Sequence, residues 1–231
     1  MNNRFNIKLK ILVTLQFFVL LTCQSVHAET QVSQILEKVV ENHKRYITGM
    51  TVPYQREILT KSMAILEDDV GFDKASGVFF FKGPDFLKVQ QDIPRKEFVI
   101  SNGKMIWWYI PDEKTASRYD NMNKEISILS MIFMGLKNPE DTFDITLSKS
   151  EDAKEEILTL SPNESLEEID YINVTVSEKD YSITRIEIVD IAGTLTRFKL
   201  GTFEQKNDMA DSFFDFEVHA NPARQKNSFN R

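Results

Sequence analysis

The stretch 76-SGVFFFKGPDFLKVQQDIPRKEFVISNGKMIWWYIPD-112 decides the fold. It breaks into four short apolar runs separated by turn chemistry. Gly83-Pro84-Asp85 ends the first run and Ile93-Pro94 the second. Asn102-Gly103 reads as a type I′ hairpin turn, because both residues tolerate positive φ. Pro111-Asp112 closes the stretch. Four strands joined so closely form an antiparallel meander. One this aromatic either fills its interior with its own rings or holds something apolar between them.

Upstream, Val32, Ile35, Leu36, Val39, Val40, His43 and Ile47 recur at three- and four-residue steps, so the spacing predicts an amphipathic helix over 32–47 that ends near Gly49. From Met50 the period changes to two. Thr51–Leu66 reads as one long strand or two, interrupted at Pro53. A second helix is expected over Lys124–Lys137, with Ile128, Leu129, Ile132, Phe133 and Leu136 on one face. Strands follow at Phe143–Ser148, Glu156–Leu160, Asp170–Ser177, Ser182–Val189, Thr194–Phe203 and Phe213–Val218. The fold class is therefore mainly β with helices (α+β). About eleven antiparallel strands curl into a barrel or part of one, and only the two helices can fill so wide a lumen.

The amino terminus reads as an export signal. Arg4, Lys8 and Lys10 precede an apolar run, Ile11–Leu21, too short to span a bilayer, and Val26-His27-Ala28 supplies small residues for cleavage after Ala28. Residues 1–28 are then a cleaved signal peptide and 29–231 a single domain of 203 residues. Cleavage removes the only cysteine, Cys23, and three positive charges, so the net charge moves from −7 to −10. An acidic exported chain without cysteine has no disulfide, no thiol nucleophile and no electrostatic reason to bind nucleic acid.

Catalytic patterns are missing. The mature chain keeps only His43 and His219, has no G-x-S-x-G elbow and no phosphate-binding glycine loop. Its paired acids are sequence neighbours that point to opposite faces of a strand. The expectation is a non-enzyme with no cofactor and no metal site.

Gly77, Lys82-Gly83-Pro84 and Ser101-Asn102-Gly103-Lys104-Met105-Ile106-Trp107-Trp108-Tyr109-Ile110-Pro111 resemble the LolA family of periplasmic outer-membrane lipoprotein carriers. Tyr54-Gln55, Leu158–Pro162 and Phe214-Asp215-Phe216 are weaker echoes of it. The resemblance implies an open antiparallel half-barrel with an α-helical lid, in a periplasmic monomer. Such a protein shields the acyl chains of lipoproteins between an inner-membrane lipoprotein-releasing ABC transporter and an outer-membrane receptor. A sixteen-carbon chain left in water costs roughly 12 kcal/mol, so a carrier is required. Strand alternation, with Gly77 inward, then assigns Phe79, Phe81, Leu87, Val89, Val99, Trp107 and Tyr109 to the acyl-chain cavity. The lid would add Leu129, Ile132 and Phe133. The facing of Phe98 to Ile100 stays open.

One departure stands out. Well-studied members have Arg in Lys-Arg-Pro, where it latches the lid. Here that position is Gly83, so either another cation, Arg56 or Arg95, latches the lid or the lid is looser. The runner-up reading is a periplasmic lipid- or lipoprotein-sensing regulatory protein on the same half-barrel. Such regulators carry a second carboxy-terminal domain, whereas this sequence has only a short polar tail.

Overall fold

The computed structural model describes residues 31–60, 73–119, 124–148, 150, 152–163 and 168–216. The export signal and its cleavage site lie outside these residues. Helix α1 covers 31–43 and runs into a 3-10 turn, Lys44–Tyr46. Twelve strands follow: β1 Met50–Leu59, β2 Asp73–Lys82, β3 Phe86–Ile93, β4 Glu97–Asn102, β5 Ile106–Ile110, β6 Thr115–Tyr119, β7 Phe143–Ser148, β8 Glu155–Pro162, β9 Ile169–Ser177, β10 Ile183–Asp190, β11 Leu195–Leu200 and β12 Glu204–Gln205. Helix α2, Lys124–Phe133, separates β6 from β7.

All strands join one antiparallel sheet in the order β6-β5-β4-β3-β2-β1-β11-β10-β9-β8-β7, with β12 on the start of β1. Two meanders are thus fused where β1 meets β11. The edge strands, β6 and β7, are consecutive in sequence but lie at opposite ends of the sheet. The chain between them, which contains α2, must cross from one edge to the other. This places α2 over the concave face, where Ile132 and Phe133 are fully buried. The architecture is the expected open sheet with helices across it.

Side chains sort cleanly onto two faces. The concave face is mainly apolar and carries the core together with α1 and α2. The convex face of β1, β10 and β11 is charged: Arg197 reaches Glu187 at 2.6 Å and Glu57 at 3.6 Å across the strands. The helices meet at Gly135, which has φ +79°. A Cβ there would lie 2.7 Å from the His43 Cβ and 3.1 Å from the Val39 carbonyl oxygen, so only glycine permits this approach.

Several local expectations change. Pro53 does not interrupt β1. It sits where β1 exchanges β12 for β11 as a partner, a gap in the ladder that asks for no N–H, and its carbonyl accepts from Gly201 N–H at 2.8 Å. The part of the expected strand beyond residue 60 lies outside the described residues. Asn102-Gly103 is not a two-residue I′ turn. Only Gly103 has positive φ, the connection spans 103–105, and Asn102 Oδ1 accepts from the N–H of Lys104 and Met105. A β-bulge between Ile183 and Arg185 lets Ile183 and Ile186, three apart, both face the core.

The expected strand at Phe213–Val218 is instead a 3-10 turn, Asp211–Phe214, followed by extended chain, and 217–218 lie outside the described residues. This segment packs on the convex face of the first meander. Phe213 meets Phe80, Phe214 meets Phe86, and Phe216 meets both Trp107 and Tyr109, with ring centroids 5.1–5.3 Å apart.

Candidate functional site

The concave wall is built by register. Cross-strand partners share a face, and Val52, Phe79, Val89 and Val99 form one row across β1 to β4. Met50, Phe81 and Leu87 form the next. Phe79, Phe81 and Leu87 are fully buried, whereas Val89 and Val99 are partly buried against the core. The Phe79 ring lies 4.4 Å from Tyr54, 5.2 Å from Phe133 of α2 and 5.6 Å from Phe198 of β11. Phe81 also meets Phe133, at 5.8 Å. Leu129, Ile132 and Phe133 point from α2 toward this wall and are buried.

Trp107 and Tyr109 must be moved to the other face. Val99 pairs with Trp108, so Trp108 shares the concave face, while Trp107 pairs with Ile100 and Tyr109 with Phe98 on the convex one. Alternation could not be read across Ile106–Ile110, because every residue in it is apolar. The convex aromatics are covered by the chain's own Phe216 rather than by a cavity. The same pairing settles Phe98 and Ile100 as outward and Val99 as inward. Trp108 stays 38% exposed at the rim, its indole N–H donating to Glu97 Oε2 at 3.0 Å.

Gly83 sits where the helices end. Its N–H donates to the Ile47 carbonyl at 2.8 Å, and a Cβ would come within 2.9 Å of Ile47 Cγ2 and Met134 Sδ. Met134 Sδ belongs to a flexible side chain, but Ile47 Cγ2 is a branch methyl on Cβ that moves only with χ1, so a larger side chain costs some repacking. Neither proposed substitute pairs with α2. Arg56 faces Asp73 at 3.6 Å, and Arg95 binds Glu97 and Glu113. An arginine side chain at position 83 must displace Ile47 and Met134 to enter, and would then lie beside the end of α2. If the chain carries acyl cargo, as the resemblance implies, transfer should slow roughly tenfold in a two-component transfer assay. Unchanged transfer kinetics would rule out a latch at this position.

His43 is fully buried at the α1–α2 crossing. Its Nδ1 lies 3.0 Å from the Val39 carbonyl, its Nε2 has no partner, and Phe203 and Tyr46 pack edge-on against the ring. Burial depresses its pKa to about 4. The unfolded chain therefore takes up a proton near pH 6.5 that the folded one refuses until about pH 4. Stability from this group is complete above pH 6.5 and is lost as pH falls through that window, by about 3 kcal/mol in all. A His43→Phe variant should show a shallower fall of unfolding midpoint between pH 6.5 and 4; an identical slope would contradict this.

Beside this wall, α1 and the free edge of β7 flank a cleft of about 1310 Å³ whose apolar lining includes Leu36, Val40, Leu136, Phe143, Ile145 and Leu147. It marks the side on which the sheet fails to close. Among the described residues, no helix is long and apolar enough to cross a membrane, and no three acidic, histidine or cysteine residues gather as metal ligands. The sequence reading missed Trp108, Phe198 and Arg56 as members of the concave face. Register was the signal for all three: the β4–β5 pairing for Trp108, and the β1–β11 pairing for Phe198 and Arg56.

The family model for outer membrane lipoprotein carrier protein LolA matches residues 67–217. An outer-membrane lipoprotein carrier protein from Azotobacter vinelandii is 23% identical over 146 residues, which cover 63% of this chain and 69% of that one. Among solved structures, a conserved protein from Thermus thermophilus aligns with TM-score 0.49 at 12% identity, covering 84% of this chain and 97% of that one. A LolA superfamily protein from Nitrosomonas europaea aligns with TM-score 0.45 at 12% identity, covering 80% and 97%. With the family model spanning well over half of its length, the chain belongs to the LolA family of outer membrane lipoprotein carrier proteins.

Proposed function

We propose that this protein is a periplasmic carrier that shields the acyl chains of exported lipoproteins against its concave wall, between the inner-membrane transporter that releases them and the outer membrane. The observation that carries the reading is the contact between wall and lid. Phe79 and Phe81 meet Phe133 of α2 ring to ring, and Ile132 and Leu129 are buried beside it. That contact is hydrocarbon against hydrocarbon. An acyl chain that displaces α2 replaces it with surface of the same kind, worth about 25 cal/mol per Å² on either side of the exchange. The exchange is therefore close to balanced, which suits a protein that must both capture and give up its load. Neutral rings and aliphatic chains also bind acyl groups without regard to the polypeptide attached, as a carrier of many cargoes requires.

The test is to incubate the purified mature protein with energised inner-membrane vesicles that contain labelled lipoproteins. Labelled lipoprotein should move into the soluble fraction as a complex with the carrier. If none is solubilised, while a membrane-anchored regulatory protein is captured instead, the sensor reading replaces this one.

A further inference from the structure

One row across the concave wall runs Ala75, Arg56, Phe198, Ile186, Val174, Leu158 and Leu147, from β2 through β8 to β7. Six of these seven neighbours are apolar, and Ile186, Val174 and Leu158 are fully buried. Arg56 is the exception. Its backbone position puts the guanidinium on the concave face, in a row otherwise built of hydrocarbon. A charge there is costly unless each donor is met. Its described ion partner, Asp73, is 3.6 Å from one terminal nitrogen and is itself more than half exposed, a long and weak contact. Its Nε is buried and has no hydrogen-bond partner among the described residues.

The surroundings of Arg56 are those of a rim rather than a core. Tyr54, one step along the same face, packs its ring on Phe79 and Phe198. Burial lifts its phenol to about 12, with the nearby Arg56 charge pulling the other way, so Tyr54 keeps its proton. Gln91 and Glu97 fall in the next row, paired through Gly77. The wall thus divides into a hydrocarbon end under the helices and a polar end at Arg56.

We propose that Arg56 anchors the polar end of a bound diacyl lipid, its guanidinium taking the ester carbonyl oxygens while the chains run beneath α2. This rests on the acyl-carrier reading and adds a specificity to it. The chemistry fits: an ester carbonyl oxygen supplies the missing acceptor, is neutral, and sits at the head of each ester-linked chain. An unpaired donor in an apolar wall discriminates between ligands that carry an acceptor and ligands that lack one.

The test displaces a fluorescent long-chain probe from the mature protein with two dipalmitoyl-type lipopeptides, one ester-linked and one with ether-linked hexadecyl chains. Wild type should bind the ester form roughly tenfold more tightly. Arg56→Met should bring the ester form down to the ether level and leave the ether form within about twofold; Arg56→Lys should recover part of the preference. A diester phospholipid that competes as well as the lipopeptide also supports the contact, and assigns it to diacyl lipids in general. An unchanged ester-to-ether ratio in Arg56→Met overturns the proposal. So does an equal loss for both ligands, which would make Arg56 structural. If wild type binds both lipopeptides without preference, the anchor alone fails. If it binds neither, the acyl-carrier reading fails with it.

Discussion

Phe79→Ala is expected to lower the free energy of unfolding by about 3–5 kcal/mol while strengthening the grip on acyl cargo. The ring is fully buried and stands between Tyr54, Phe198 and Phe133. Truncation leaves a void that close packing cannot collapse, because two of those neighbours are held in the sheet. The empty closed form bears the whole loss. A loaded form, in which an acyl chain fills the vacated space, bears only part of it. Relative to wild type, the balance between closed and loaded forms moves toward loaded, so acyl affinity should rise about tenfold or more even as the protein becomes easier to unfold. Urea unfolding and probe binding read the two sides separately. Lower stability with weaker binding would mean that Phe79 supports the site without competing for it.

Gly77→Ala should be equally damaging for a different reason. A Cβ at Gly77 would overlap the Gln90 carbonyl oxygen and lie 2.9 Å from the Gln90 carbonyl carbon and Gln91 Cα. These are backbone atoms in the β2–β3 ladder, beside the register shift between Ser76 and Gly77, and they cannot turn aside as a side chain would. We expect a loss of about 3 kcal/mol or more. Gly201→Ala is the internal control, since a Cβ there meets only the Pro53 ring at 3.4–3.5 Å. It should stay within about 0.5 kcal/mol of wild type. Equal effects at both positions would contradict the steric account.

Much of this fold was legible because the two periods are distinct. Val32 to Ile47 repeats at helical spacing, and the turns at Gly83-Pro84 and Ile93-Pro94 separate strands that the structure places there. The limits have physical causes. β6 reads Thr-Ala-Ser-Arg-Tyr, too polar to announce a strand; it is an edge strand held on one side by β5. The aromatic run after Asp211 has the composition of a strand but lies against rings of the convex face, where stacking substitutes for a ladder. Concave residues of the first meander were half legible. Phe79, Phe81, Leu87 and Val89 alternate with Phe80, Lys88 and Gln90, whereas Trp107-Trp108-Tyr109 offers no polar residue to mark the outer face. Arg56 stood out in the sequence only as a candidate lid latch, not as a member of the concave wall. Its place in an apolar row depends on pairing with residues about 140 positions away.

If acyl cargo lies on the concave face, Val99 and Phe98 should report it differently. They are adjacent in β4 and point to opposite faces, Val99 in line with Val89 and Phe98 in line with Gln90 and Tyr109. A photo-crosslinking phenylalanine derivative placed at each position in turn, followed by loading with labelled acylated lipoprotein and irradiation, should yield a carrier–lipoprotein adduct from position 99 and none from position 98. Adducts from position 98 alone, or equally from both, would contradict it.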